Sequence, residues 1–307
     1  MNILVTGADG FVGGHLTKLL RSRAGNKVTG TTRQTSDRLY KCDLLSYDDV
    51  EKALRETQPD VIYHLAAFSS PALSFDHPEV AINSTQTMQI NLYQACLKLD
   101  IRPKFLVISS GQIYGKAGKP EDLPLTEASP LHFNSPYSVA KVGQENLANF
   151  YESRGFTSVI ARPFNHIGPG QQPGFLVSDL TKQIAELELK GEGTLKVGNL
   201  DSRRDFTDVR DIVNAYELLA AKSKPEIYNV CSGKSTSGQE ILDMLLELSG
   251  AKITVEKDPA RLRPSDIPDL YGDMSKLHRV TGWEPVIDLR TTLADTLEYW
   301  RGQVSTT

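Results

Sequence analysis

The chain has 307 residues, 39% hydrophobic and 23% charged, and a formal net charge of -4. These proportions are those of a folded globular chain and exclude a disordered one, and the scattered Lys and Arg residues argue against a general nucleic-acid surface. Cys42, Cys96 and Cys231 lie far apart, with no C-x-x-C and no zinc spacing, no stretch reaches the ~18 apolar residues of a membrane span, and Met1-Asn2-Ile3 is no basic leader; the expectation is a cytoplasmic protein with reduced thiols, no metal and no membrane or nucleic-acid partner.

Ile3-Leu4-Val5 is a short apolar run, as a strand buried on both faces requires, and leads into Thr6-Gly7-Ala8-Asp9-Gly10-Phe11-Val12-Gly13-Gly14. Strand, glycine turn and helix in that order suit a dinucleotide phosphate site. Gly7 makes the tight turn, Gly10 lets backbone N–H groups approach the pyrophosphate, and Gly13 lets the helix lie close to the strand, with Phe11 and Val12 alongside. The spacing is G-x-x-G-x-x-G. A second strand over residues 27–31 ends at Thr32-Arg33-Gln34, where no acid is present for an adenosine ribose. Arg33 favours a 2′-phosphate and so NADP(H) over NAD(H); a solvated surface arginine is the competing reading. Asp43 and Leu44, after a short third strand, stand where an adenine edge could be met.

A fourth strand over residues 60–64 runs into Leu65-Ala66-Ala67, small residues that leave room for a cofactor to cross, with His64 read as a core or supporting residue. A helix is expected over 79–99. The fifth strand, 104–108, delivers Ser109-Ser110-Gly111-Gln112 to the same edge, where ligands bind in open α/β sheets. Asn134-Ser135-Pro136 opens a helix running to about Ser153, which sets Tyr137 and Lys141 four residues apart on one face. Residues 157–161 form a sixth strand. This alternation predicts an α/β chain with a doubly wound parallel Rossmann sheet.

After Arg162-Pro163-Phe164-Asn165-His166 the rhythm changes. A Gly/Pro/Gln-rich loop over 168–174 precedes a helix near 175–190, short strands, Arg203-Arg204-Asp205-Phe206, a helix at 210–221, a strand at 226–230 and a helix at 237–249. The stretch 259–268 is punctuated by prolines and carries Arg261 and Arg263, and a helix near 289–300 closes the chain. The expected division is a Rossmann domain of residues 1–165 plus about 206–232, and a smaller C-terminal α/β substrate lobe of 166–205 and 233–307.

With Gly7/Gly10/Gly13, Ser110, Tyr137 and Lys141 in order, the chain resembles the extended short-chain dehydrogenase/reductases that act on nucleotide-diphosphate sugars. The resemblance covers essentially the whole length and includes residues 162–171, Arg204-Asp205-Phe206, Arg263-Pro264, Gly272-Asp273 and Gly282-Trp283. It implies Tyr137 as proton donor or acceptor, Lys141 bonding the nicotinamide ribose and depressing the Tyr pKa from about 10, and Ser110 orienting the carbonyl. Pro163 would border the cofactor, Asn165, Arg204 and Arg263 the sugar-nucleotide phosphates, and Val177 the base. The chain looks most like the branch of GDP-mannose 4,6-dehydratases and GDP-4-keto-6-deoxymannose reductases. Dehydratases of that branch carry a carboxylate two residues after the catalytic hydroxyl; here that position is Gln112, which cannot exchange a proton at neutral pH. The implied reaction is therefore NADPH-dependent reduction of the 4-keto group of GDP-4-keto-6-deoxy-D-mannose to GDP-D-rhamnose. A related dehydratase or 4-epimerase, and a non-catalytic NADP(H) sensor, are the alternatives. The helices at 79–99 and 137–153 match those that pair into a four-helix homodimer interface in relatives.

Overall fold

A computed structural model describes residues 1–116, 119–259 and 267–305. The first part of the chain gives β1 (Asn2–Thr6), α1 (Phe11–Arg21), β2 (Lys27–Thr32), β3 (Tyr40–Lys41), α2 (Tyr47–Thr57), β4 (Val61–His64), α3 (Pro78–Lys98), β5 (Lys104–Ile108), α4 (Pro136–Glu152) and β6 (Thr157–Pro163). Then follow β7 (Asn165–Ile167), α5 (Leu176–Lys190), β8 (Glu192–Val197), β9 (Arg203–Arg204), β10 (Phe206–Asp208), α6 (Val209–Lys222), β11 (Ile227–Val230) and β12 (Thr236–Ser237). The chain finishes with α7 (Gly238–Leu248), β13 (Lys252–Lys257), β14 (Asp269–Leu270), α8 (Ser275–Thr281) and α9 (Leu289–Val304).

Seven strands pair in parallel in the order β11-β6-β5-β4-β1-β2-β3. Because side chains alternate along a strand, Ile3 and Val5 pack on one face with Leu16, Leu20, Ile212 and Tyr216, while Leu4 packs on the other with Val50, Leu54, Leu92 and Tyr93. Both faces are thus covered by helices, which is why the strands read as unbroken apolar runs. Strand order reverses between β1 and β4, so the turns leaving these two strands bound a crevice at the carboxyl edge of the sheet, the place where ligands bind in such sheets.

A second core holds Ile184, Leu195, Val197, Leu245, Leu293, Leu297 and Trp300, drawn from α5, α7, α9 and the parallel β8–β13 pair. Several elements have no counterpart in the sequence expectations, among them α2, β13 and α8. Helix α2 is a three-turn segment capped by Ser46; β13 alternates apolar with charged residues and is mostly exposed; α8 spans only seven residues. Leu277 and Trp283, expected in the substrate lobe, pack instead in the first core, and the Trp283 indole N–H donates to the Asp211 carbonyl at 3.0 Å. The cysteines are buried and unpaired with one another. Among the described residues no helix is long and apolar enough to cross a membrane, and no group of three His, Cys, Asp or Glu side chains could hold a metal ion.

Candidate active site

The glycine turn is shaped by contacts that admit no side chain. Gly7 has φ +67, and a Cβ there would lie 3.1 Å from the Ala66 nitrogen; a Cβ on Gly13 would lie 2.0 Å from the Gly7 carbonyl oxygen. The Gly10 N–H donates to that same carbonyl at 3.1 Å, and Gly10 starts α1 without a capping side chain or an acid in the first turn. The turn is pinned from below by Thr6, whose hydroxyl accepts the N–H groups of Leu65 and Ala66, both at 3.1 Å. Helix N–H groups and the positive end of α1 therefore face the crevice beside half-buried Phe11 and Val12, as a pyrophosphate requires. Leu65, Ala66 and Ala67 line its far wall, and Pro163 closes β6 as a buried residue.

At the ribose end, Arg33 is exposed immediately past β2. The structure adds a residue that sequence reasoning missed. Asp9, from the glycine turn, accepts a hydrogen bond from the Thr32 hydroxyl at 2.6 Å, so a carboxylate does stand at the end of β2, supplied from 23 residues away. Asp43 is half-buried and accepts the Leu45 N–H at 3.0 Å, while Leu44 is turned into the core.

The proposed reacting groups converge at the carboxyl edge. Ser110 follows β5 and caps a short helical turn, accepting the Gln112 N–H at 3.2 Å. Helix α4 starts with a reciprocal Ser135–Ser138 cap, and the Tyr137 N–H donates to the Ser74 hydroxyl at 3.2 Å. Lys141, 4% exposed, donates from Nζ to the Ile108 carbonyl at 2.8 Å and to Gln144 Oε1 at 3.0 Å, and sits 5.8 Å from the Tyr137 ring centroid. Burial draws the Lys141 ammonium down to about 7, with Glu145 opposing. The net effect of the surroundings on the Tyr137 phenol is upward. Burial, the larger effect, pushes the phenol above its ordinary value, and a hydrogen bond with Ser110 acts against it. His64 is held at about 3 by burial and by the Lys141 charge, so it stays neutral and serves as a buried partner of the Thr6 hydroxyl at 3.0 Å.

On the substrate side, Gln112 is half-buried two residues beyond Ser110, and Asn165 opens β7, paired with Phe206 of β10. Arg204 is half-buried and donates to the Ile267 carbonyl at 2.6 Å, while Arg203 is committed to Ser235 and to Glu240. Arg263 lies outside the described residues. The Val177 side chain is 1% exposed and belongs to the second core; the side chains this helix start leaves open are Phe175 and Leu176. The glycine turn and the loop after β7 are joined by aromatics: Phe11 stacks on His166 at 6.2 Å, and His15 donates to the Pro169 carbonyl at 2.9 Å.

Residues 4–296 match the family profile described as GDP-mannose 4,6 dehydratase. The chain is 33% identical to the GDP-6-deoxy-D-mannose reductase of Pseudomonas aeruginosa, over 98% of each protein. It is also 33% identical to the GDP-6-deoxy-D-talose 4-dehydrogenase of Aggregatibacter actinomycetemcomitans, over 92% of each. The solved structure of RMD from Pseudomonas aeruginosa, complexed with NADPH, superposes with a TM-score of 0.89 at 30% identity, covering 99% of this chain and 100% of that one. A glycine turn at the switch point, a Ser/Tyr/Lys set beside it and a profile spanning nearly the whole length together place the chain in the GDP-mannose 4,6-dehydratase family of extended short-chain dehydrogenase/reductases.

Proposed function

We propose that the protein uses NADPH to reduce the 4-keto group of GDP-4-keto-6-deoxy-D-mannose, giving GDP-D-rhamnose. The observation that carries this reading is the Ser110/Tyr137/Lys141 set, gathered beside the glycine turn, with an amide at Gln112 where elimination chemistry needs a proton-exchanging carboxylate. Bound NADPH supplies the hydride. Tyr137, protonated at neutral pH because burial raises its pKa, gives its proton to the substrate oxygen. Ser110 donates to the same oxygen as charge develops there. Lys141 presents its charge behind Tyr137 and stabilises the phenolate left by proton transfer. Asn165 and Arg204 supply the polar side of the cleft for the diphosphate.

A second reading has a specific support. The relative named GDP-6-deoxy-D-talose 4-dehydrogenase has the same 33% identity as the one named GDP-6-deoxy-D-mannose reductase, and the 6-deoxy sugars in the two names differ at C4, so the face of the sugar presented to the hydride is the discriminating variable. The test is to supply GDP-4-keto-6-deoxy-D-mannose with NADPH, follow cofactor oxidation and assign C4 by NMR. Absence of turnover, or turnover only with a UDP- or dTDP-sugar, overturns the proposal; GDP-D-mannose with NADP is expected to undergo no elimination.

The guanidinium of Arg33 is the group suited to the 2′-phosphate. Arg33→Ser is expected to weaken NADPH binding about 10- to 100-fold, the scale of one charge-assisted hydrogen bond, and to leave NADH binding little changed. Fluorescence titration of both nucleotides checks this, and an equal loss for both would remove Arg33 from cofactor choice.

We also propose that two copies associate through α3 and α4. Val80, Asn83, Thr87, Ile90 and Gln94 form an exposed uncharged stripe along α3, and Val139, Asn146 and Phe150 form another along α4, which packs beside it. An uncharged stripe at this spacing, with Val80, Ile90, Val139 and Phe150 among its exposed side chains, suits a self-complementary helical interface. Ile90→Asp with Phe150→Asp is expected to convert a dimer to a monomer in light scattering, and a monomeric parent chain would refute the interface.

A further inference from the structure

We propose that the buried Glu145–Arg162 pair is the positioning unit of the reaction centre, fixing the segments that carry Ser110, Gln112, Tyr137, Lys141 and Asn165 relative to one another. The pair is bidentate: Arg162 Nε donates to Glu145 Oε1 at 2.9 Å and Nη2 to Oε2 at 2.7 Å, with the two side chains only 4% and 5% exposed. Each partner belongs to a different part of the site. Glu145 lies one helical turn after Lys141 on α4, and Arg162 is the buried penultimate residue of β6, three residues before Asn165.

The bonds radiating from the pair reach the remaining segments. The Ser109 hydroxyl donates to Glu145 Oε1, which ties down the residue preceding Ser110. Arg162 Nη1 donates to the Tyr114 hydroxyl at 2.9 Å and to the Glu127 carbonyl at 3.3 Å, which anchors the turn bearing Gln112. The Tyr114 hydroxyl in turn donates to Asn229 Oδ1 at 2.7 Å, and the Asn229 N–H reaches Glu127 Oε1 at 2.8 Å, linking the network to β11. A planar guanidinium is the only side chain that can serve a carboxylate fork, a phenol and a carbonyl at once. Such a fully partnered network is costly to disturb at any single member.

The pair also governs a charge. Lys141 is faced by Tyr137 and Glu145 from its own helix, by His64 from β4 and by the Ile108 carbonyl of β5, while α3 contributes the neutral Gln86, through the Ala140 carbonyl, and Gln89, through Gln144. Among the described residues Glu145 is the one carboxylate acting on it and raises its pKa against burial. Arg162 lies on the far side of that carboxylate and holds it in place, so removing Glu145 alters both the geometry of α4 and the pH range in which Lys141 is charged.

The inference rests on the reading that Ser110, Tyr137 and Lys141 perform a ketone reduction, so its test includes a measurement that needs no turnover. Glu145→Gln and Arg162→Lys are compared with the parent enzyme for thermal unfolding, for NADPH affinity between pH 6 and 9, and for kcat and KM over the same range. Expected are folded variants with kcat lowered about 100-fold, KM within about threefold, and, for Glu145→Gln, the alkaline fall in both NADPH affinity and kcat moved about one pH unit lower. A lowered unfolding temperature with unchanged kcat and unchanged pH limbs would make the pair merely structural and overturn the proposal. If the parent enzyme turns over no nucleotide sugar, the reaction reading fails by itself, and the shift in the NADPH affinity limb still decides whether Glu145 sets the Lys141 charge.

Discussion

Tyr137→Phe is expected to lower turnover of the 4-keto sugar about 10²- to 10⁴-fold, the range for loss of a positioned proton donor, while NADPH affinity stays within about twofold. The ring remains, so α4 keeps its start, and the backbone N–H of residue 137 still reaches the Ser74 hydroxyl. What disappears is the one hydroxyl near the ketone that can both give up a proton and have the resulting charge balanced by Lys141. Ser110 cannot take over. Its oxygen already accepts the Gln112 N–H, and an alcohol has no route to a stable anion at neutral pH.

The pH dependence follows from the same groups. The phenol, raised by burial, is in its donating form throughout the neutral range, so the acid limb of activity is not set by Tyr137. Lys141, drawn down to about 7, is charged below that pH and loses its charge above it. Turnover in the free enzyme is therefore expected to decline on the alkaline side, and binding of the anionic cofactor, which favours the ammonium, moves that decline upward. A pH profile for Lys141→Met that retained the same alkaline limb would assign the limb elsewhere. In Tyr137→Phe, NADPH fluorescence enhancement should be retained; its loss would mean that Tyr137 holds the cofactor rather than the proton.

Local signals made part of this site legible. The period of an α-helix puts Tyr137 and Lys141 on one face, and the uninterrupted apolar runs of β1 and β5 announce strands covered on both sides. Contacts between distant residues were not legible. Asp9 meets Thr32, and Glu145 meets Arg162, only after the sheet has formed, and neither contact leaves a mark in the intervening sequence. Val177 is a different case, because its own spacing with Leu180, Ile184 and Leu187 is that of a core stripe, and this periodicity is a better guide to its side chain than a family position. Helix α8 escaped notice because two turns are too short to show a period, although Leu277 and Trp283 tie that region into the first core.

Gly13→Ala is expected to damage fold and cofactor site together, because no neighbour can move out of the way. The new methyl carbon would meet the Gly7 carbonyl oxygen at 2.0 Å, the Gly7 carbonyl carbon at 2.8 Å and the Ala8 Cα at 2.8 Å, all of them backbone atoms of the turn itself. Relief requires α1 to lift away from β1, which separates Leu16 and Leu20 from Ile212 and Tyr216 and shifts the N–H groups facing the pyrophosphate. Overpacking of this kind costs about 3 kcal/mol, or roughly 5 °C of unfolding temperature for a chain of this size. Displacing the binding groups by about 1 Å lowers NADPH affinity on the order of 100-fold. The adjacent glycine provides the control. A Cβ on Gly14 would meet only the Ala8 carbonyl oxygen at 3.9 Å, on an exposed face of the helix. Gly14→Ala should therefore stabilise the protein by about 0.5–1 kcal/mol with NADPH binding intact. Calorimetry and nucleotide titration on the two variants separate the cases, and equal tolerance of alanine at both positions would mean that the turn does not hold α1 against β1 as its contacts indicate.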